Sequence, residues 1–183
     1  MNTLAYGLLS ILSQSSFSGY DLMLRTQLFW PAKHSQIYPL LARLEQDGYI
    51  SREHVAQSDK PDKKVYSLTG KGREALSAWL EQPAADPVTR DELMLKTYCL
   101  SFTDPQSARR LYADRLDYYR KKLRQHEDKI AGFRERGDFP PDGSAPPFES
   151  PRFGAYVLME RAVQSARASI AWTEWVISLL PPE

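Results

Sequence analysis

The stretch HSQIYPLLARLEQDGYI, His34 to Ile50, reads as a short helix with two different faces. Ile37, Leu40, Leu41 and Leu44 recur at i, i+3, i+4 and i+7, which makes one apolar stripe. Ser35, Gln36, Tyr38, Pro39 and Arg43 lie off that stripe and crowd the helix start with polar, aromatic and cationic groups. Gly48 supplies the left-handed residue that stops a helix, and Tyr49 and Ile50 begin an extended run. A helix anchored on one side and polar from its first turns suits a reader of the DNA major groove. Pro39 is tolerated near a first turn but costs about 3 kcal/mol in a helix interior. The helix therefore starts between Lys33 and Ser35, and the residues themselves do not choose its cap.

Upstream, Leu4 to Ser13 forms a first helix, with Leu4, Leu8, Ile11 and Leu12 as its buried stripe. Phe17 to Asp21 reads as a turn into a second helix, where Ser18 and Asp21 make a shortened capping box. Leu22, Met23 and Leu28 supply its apolar contacts, and Trp30-Pro31 ends it. Downstream, Tyr49–Gln57 and Lys64–Leu68 read as the strands of a hairpin around the turn SDKPDKK, residues 58–64. Thr69 caps a fourth helix whose buried face is Leu76, Trp79 and Leu80. Three helices, a two-stranded wing and a following helix make a winged helix-turn-helix, placed at residues 1–82.

Gln82 to Val88, QPAADPV, has two prolines and no periodicity, so it reads as a linker. Residues 83–183 then form a helical dimerisation and effector domain, and the whole fold is mainly α. Thr89 and Glu92 make a capping box for a fifth helix carrying Leu93, Thr97 and Leu100. Asp104 caps a sixth, with Pro105 at its first position. Tyr112, Leu116, Tyr119, Leu123, His126, Ile130 and Phe133 form a heptad seam along it. Residues 137–151 are rich in proline and read as an exposed loop. From about Phe153 to Leu180, Met159, Val163, Ala166, Ile170, Thr173, Ile177 and Leu180 repeat the heptad spacing. A second face carries Ala162, Ser165, Ser169, Trp172, Val176 and Leu179. A helix with two apolar faces needs two partners: its own antiparallel neighbour and a second subunit. The dimerisation candidates are Leu116, Tyr119, Leu123, Ile130, Met159, Val163, Ile170 and Ile177.

Composition narrows the function. The chain has 183 residues, 42% hydrophobic and 26% charged, ordinary values for a globular protein with a sizeable core. No apolar run reaches the roughly 20 residues of a membrane span, and the N-terminus lacks the basic region of a signal peptide. A single cysteine, Cys99, excludes an intrachain disulfide and reads as a small buried hydrophobe. A cytoplasmic protein is expected. Net charge is only +1, so nucleic-acid affinity has to come from local cations. Lys60, Lys63 and Lys64 crowd one short turn, where they repel one another unless an anion is near. His34, His54 and His126 have no metal-ligand spacing with one another or with Cys99. No phosphate loop, metal cluster or catalytic triad pattern appears, so neither an enzyme nor a cofactor is expected.

SGYDL (Ser18–Leu22), SQIYPLLARLEQDGYI (Ser35–Ile50) and VYSLTGKGREAL (Val65–Leu76) together resemble the PadR family of bacterial transcriptional regulators. The longer C-terminal half looks like the helical tail of the branch that includes the phenolic-acid repressors. The resemblance implies a dimeric DNA-binding regulator, with double-stranded operator DNA as partner and the tails pairing the subunits. Matching positions are Ser35, Gln36, Tyr38 and Pro39 on the helix, and Lys60, Lys63 and Lys64 on the wing. Lys33 stands where the family often has serine, and as a cation it can contact a phosphate; Arg43 can do the same or pair with a neighbouring acid. Phe153, Tyr156, Trp172 and Trp175 are candidates for the pocket of a small aromatic effector, against a plain role in helix packing. The rival to DNA binding is a winged helix used only for protein contacts.

Overall fold

A computed structural model describes residues 1–26, 30, 32–55, 63–87 and 90–181. The readings placed on Leu28, Pro31, Asp59, Lys60, Pro61 and Thr89 lie outside the described residues. Chain contacts divide the protein into two compact units, Met1–Pro87 and Val88–Glu183.

The first unit runs α1 (Thr3–Leu12), β1 (Phe17–Ser18), α2 (Gly19–Thr26), α3 (His34–Gln46), β2 (Ile50–Val55), β3 (Lys63–Leu68) and α4 (Gly70–Leu80). Asn2 starts α1 by accepting the Ala5 N–H at 2.9 Å. Leu4, Leu8, Leu9, Ile11 and Leu12 bury its stripe against Leu22 of α2 and Ile37, Leu41 and Leu44 of α3. The apolar positions read at helical spacing are therefore one core. The start of α2 is the expected reciprocal cap: the Asp21 N–H donates to Ser18 Oγ at 3.1 Å, and the Ser18 hydroxyl donates to Asp21 Oδ2 at 2.6 Å.

Two expectations here need correcting. The sheet has three strands in the order β1-β3-β2, not two. Phe17 and Ser18 pair antiparallel with Tyr66 and Val65, so the residues read as a turn also tie α2 to the wing. Leu80 is 71% exposed and not part of the buried face of α4. It sits at the last turn, beyond the point where Trp79 stacks on Tyr6 with ring centroids 4.7 Å apart.

The turn from α3 into β2 and the start of α4 are built together. Gly48, at φ +76°, takes the left-handed conformation that ends α3. Thr69 caps α4 by accepting the Gly72 N–H at 3.1 Å, and its hydroxyl lies 2.7 Å from the Gly48 carbonyl oxygen and 2.9 Å from that of Tyr49.

The second unit holds α5 (Glu92–Tyr98), a short 3-10 turn at Leu100–Phe102, α6 (Pro105–Glu135) and α7 (Phe153–Leu179). Asp91 caps α5, accepting the Leu93 N–H at 2.9 Å. Asp104 caps α6 as read, accepting the Ser107 N–H at 2.9 Å. At the same end of the unit, Arg109 in the second turn of α6 donates to the carbonyls of Leu180 and Pro181, placing a cation at the C-terminus of α7.

Three ion pairs join α6 to α7: Arg120–Glu174 at 2.8 Å, Glu127–Arg167 at 2.8 Å and Arg134–Glu160 at 4.0 Å. Residue numbers rise along α6 as they fall along α7, so the helices run antiparallel. Each rung is one heptad from the next on both helices. Apolar clusters lie toward the two ends of this ladder. Leu93, Tyr112 and Val176 pack with Leu111, Trp172 and Ile177 near the chain end, and Ile130, Phe139 and Val163 pack with Leu123, Phe133 and Met159 near the connection.

That packing changes two readings. Leu116, Ile130 and Val163 are buried within a single chain, so the heptad seam expected between subunits is filled by the chain's own helix. Tyr119, Leu123, Met159, Ile170 and Ile177 are likewise only partly exposed. The connection between the helices is not simply an exposed loop either. Phe139 is 2% exposed, with Phe133 and Tyr156 rings 4.9 and 5.4 Å away. Asp138 pairs with Arg136 at 3.5 Å and with Arg152 at 2.7 Å.

Candidate nucleic-acid interface

The exposed surface of α3 begins where its core contacts end. Ile37, Leu41 and Leu44 face inward, and Lys33, His34, Ser35, Gln36, Pro39 and Arg43 are exposed. Helix geometry dictates this split, because residues three and four apart share a face. The helix starts at His34, inside the expected range Lys33–Ser35, which puts Pro39 in its second turn. The Pro39 ring removes one backbone donor, and the helix continues through it to Gln46.

The cap of α3 comes from an unexpected residue. Lysine has no acceptor, so Lys33 cannot receive a helix N–H on its side chain. Instead Gln36 Oε1 reaches back to accept the Lys33 N–H at 2.9 Å, the reverse half of a capping box. A bidentate contact to adenine uses that same carbonyl oxygen as its acceptor. The amide nitrogen of Gln36 remains available to donate.

Tyr38 is held from two sides. Its ring stacks on His34 with centroids 4.1 Å apart. It also lies over Gly19, where an added Cβ would be 2.9 Å from Tyr38 Cε1. Only glycine leaves room for the ring there, which explains the Gly19 in SGYDL. The ring is thus wedged between α2 and α3 and stays half-exposed.

The wing root carries the remaining cations. Lys64 is exposed and stands across the sheet from His54. Lys63 pairs with Asp21 of α2 at 3.2 Å. The Ser18 hydroxyl bond, opposed by burial and helped by Lys63, holds the Asp21 carboxyl below its usual range. Behind this edge, Arg52 of β2 pairs with Glu45 of α3 at 3.2 Å and fixes the strand to the helix. Tyr66 is buried beside them. Burial pushes its hydroxyl up, and Arg52 partly offsets that. Arg43 pairs with Asp47 at 3.7 Å but remains largely free. His34 and His54 share this surface, although spacing singles them out only as unlikely metal ligands; their signal was position, at a helix start and across from a wing lysine.

The four aromatic effector candidates do not converge within one chain. Tyr156 and Phe153 lie near the connection, against Phe139 and Phe148. Trp172 packs edge-on to Tyr112, 6.0 Å between centroids. Sixteen residues separate Tyr156 from Trp172 on one helix, a rise of about 24 Å. Trp175 is 57% exposed. That distance keeps all four from lining one pocket within a single chain.

A three-helix core that presents the start of its third helix beside a basic-rooted hairpin is a winged helix-turn-helix, and the class it defines is a DNA-binding regulator of transcription. Residues 8–78 match the transcriptional regulator PadR-like family, and residues 89–181 match the virulence activator alpha C-terminal family. The chain belongs to the PadR-like family. It is 35% identical to the negative transcriptional regulator PadR of Bacillus subtilis (strain 168), over 98% of each chain. A crystal structure of Bacillus subtilis PadR in complex with operator DNA superposes with a TM-score of 0.84 at 31% identity, covering 98% of this chain and 100% of that one. The same protein in complex with p-coumaric acid gives 0.76 at 30% identity, over 97% and 98%. The Vibrio cholerae virulence activator AphA gives 0.67 at 25% identity, over 96% of each.

Proposed function

We propose that this regulator acts as a homodimeric repressor in the cytoplasm, occupying an operator through the start of α3 and the root of the wing. Residues 1–82 would be the DNA-binding domain and residues 83–183 the dimerisation and effector domain. The observation that carries the reading is the exposed strip from Lys33 to Arg43, stiffened from behind by Ile37, Leu41 and Leu44 and flanked by exposed Lys64. Lys33, Lys64 and Arg43 are placed to neutralise phosphates, Ser35 and the amide nitrogen of Gln36 to reach base edges, and Tyr38 and Pro39 to set the helix start. The relative solved with operator DNA supports this assignment.

The dimer surface follows from what α6 and α7 leave uncovered. Leu95, Tyr98 and Phe102 are 73%, 96% and 91% exposed, and Trp175 and Leu179 of α7 are 57% and 63% exposed. Large apolar side chains at such exposure mark an association surface, and a two-fold axis is the usual symmetry. The relative's complex with p-coumaric acid makes aromatic carboxylic acids the effector class to test.

The experiment is a gel shift of the full chain on its own upstream region and on a mixed-sequence duplex, repeated across salt and with p-coumaric acid. Operator binding that weakens with salt and is released by the acid supports the reading. Equal affinity for both duplexes, or no binding to either, overturns it.

A further inference from the structure

One carboxylate oxygen joins three elements of the first unit. Asp21 Oδ2 accepts the Ser18 hydroxyl at 2.6 Å and the Ser18 N–H at 3.4 Å, and it pairs with Lys63 Nζ at 3.2 Å. Ser18 lies on β1, Asp21 on α2, and Lys63 begins β3 at the wing root. Val65, two residues on, is the strand partner of Ser18.

Capping does not explain the charge. The first turn of α2 is already served by Ser18 Oγ, which accepts the Asp21 N–H. A neutral amide at position 21 could return the bond to the Ser18 hydroxyl equally well. A full negative charge beside a surface that meets a polyanion opposes binding. The group that needs this charge is Lys63. Its neighbour Lys64, pointing to the other face of the strand, has no carboxylate within ion-pair distance among the described residues.

We infer that Asp21 is a selectivity residue, which withholds Lys63 from the phosphate backbone and so lowers sequence-independent affinity. The pair is roughly half exposed on both sides, 43% for Lys63 and 39% for Asp21. An ion pair so placed adds little to stability, so it does not serve as a strut; the carboxylate instead compensates the charge of the lysine at the surface that DNA meets. A cation already neutralised by protein releases no counterion when DNA arrives. Affinity for random sequence is thereby held down, and discrimination rests on α3.

The inference builds on the proposed interface, and the experiment separates the two. The full chain and its variants are titrated with a mixed-sequence duplex between about 50 and 200 mM salt. Lys63→Gln alone should leave the log-log slope unchanged. Asp21→Asn should raise affinity severalfold at low salt and steepen the slope by about 0.9, which makes the loss across that range about threefold larger. Adding Lys63→Gln to Asp21→Asn should return the slope to that of the parent. The proposal is overturned if Lys63→Gln alone flattens the slope by a full contact, if Asp21→Asn leaves it unchanged, or if the steeper slope survives the double substitution. Lys63→Gln keeps the α2 cap intact and remains decisive should Asp21→Asn fail to fold. Lys64→Gln is the check on the interface, since it should flatten the slope. If it does not, the wing root is not on DNA and the role given to Asp21 falls with it.

Discussion

Gly72 approaches the backbone carbonyl of Tyr49 so closely that an added Cβ would stand 2.2 Å from its oxygen and 2.6 Å from Leu68 Cδ1. The carbonyl cannot yield, because it also accepts the Thr69 N–H at 3.1 Å. Gly72→Ala should therefore destabilise the first unit by about 2 kcal/mol or more. Gly70, two residues earlier, has open space at the same test position. Gly70→Ala should be neutral or stabilise by up to about 1 kcal/mol. Urea unfolding of both variants makes the comparison, and equal midpoints would mean that α4 does not sit on β2 in this way.

Gln36 is expected to act first through the helix and only then through DNA. Gln36→Ala removes the bond to the Lys33 N–H and should cost about 0.5–1 kcal/mol of stability and lower affinity for every sequence, while loss of the amide nitrogen also relaxes preference at one base position. Gln36→Glu retains an acceptor, so stability should recover while the added negative charge weakens DNA binding further. Thermal unfolding and titration of an operator-variant panel distinguish the cases. Relaxed preference at one base position in Gln36→Ala, with unchanged stability, would make the residue a base reader and not a cap.

The surface that pairs subunits can be told from the seam that holds one subunit together. Trp175→Glu changes an exposed side chain and should produce folded monomers by light scattering. Leu116→Glu buries a charge between α6 and α7 without a partner. Loss of helical signal is expected there, whatever the oligomeric state. Trp175→Glu chains that remain dimeric would move the subunit contact to another face.

Burial first, and then Lys129 and Lys122, push the His126 imidazole below its ordinary value of about 6.5. The folded chain thus favours the neutral ring, and the unfolded chain binds more protons as pH drops below that value. The stability so contributed is complete above pH 6.5 and is lost as pH falls from there through the folded value. His126→Gln should flatten the fall in melting temperature between about pH 7 and pH 5. An unchanged pH profile in that variant would assign the sensitivity to other groups.

The core of the first unit was legible because its apolar residues recur at helical spacing, and Asp104, Thr69 and the Ser18–Asp21 pair announce helix starts by local chemistry alone. What escaped the sequence depends on distant partners. A two-residue strand such as Phe17–Ser18 is too short to show alternation. The Gln36 cap replaces a familiar hydroxyl with a side chain that is read first as a base contact. Heptad spacing reveals that Leu116 and Val163 need a neighbour, but periodicity does not say whose helix supplies it. Lys63 reads as a phosphate contact until the fold brings Asp21 beside it, 42 positions earlier in the chain.

The three rungs between α6 and α7 alternate in sign: Arg120, Glu127 and Arg134 face Glu174, Arg167 and Glu160. Sliding one helix by a heptad would keep the apolar seam matched but set Arg120 against Arg167 and Glu127 against Glu160. The charges therefore act as a key with a single seating, forbidding the one misalignment that hydrophobicity permits. The key is blind to ownership, however, since α7 of a second copy would fit α6 equally well, rung for rung. Covalent continuity favours the chain's own helix, and the connection reinforces it. With Asp138 clamped between Arg136 and Arg152, and Phe139 plugged into the seam beside them, the connection ties the chain's own two helices together and disfavours exchange of a twin's helix into the hairpin.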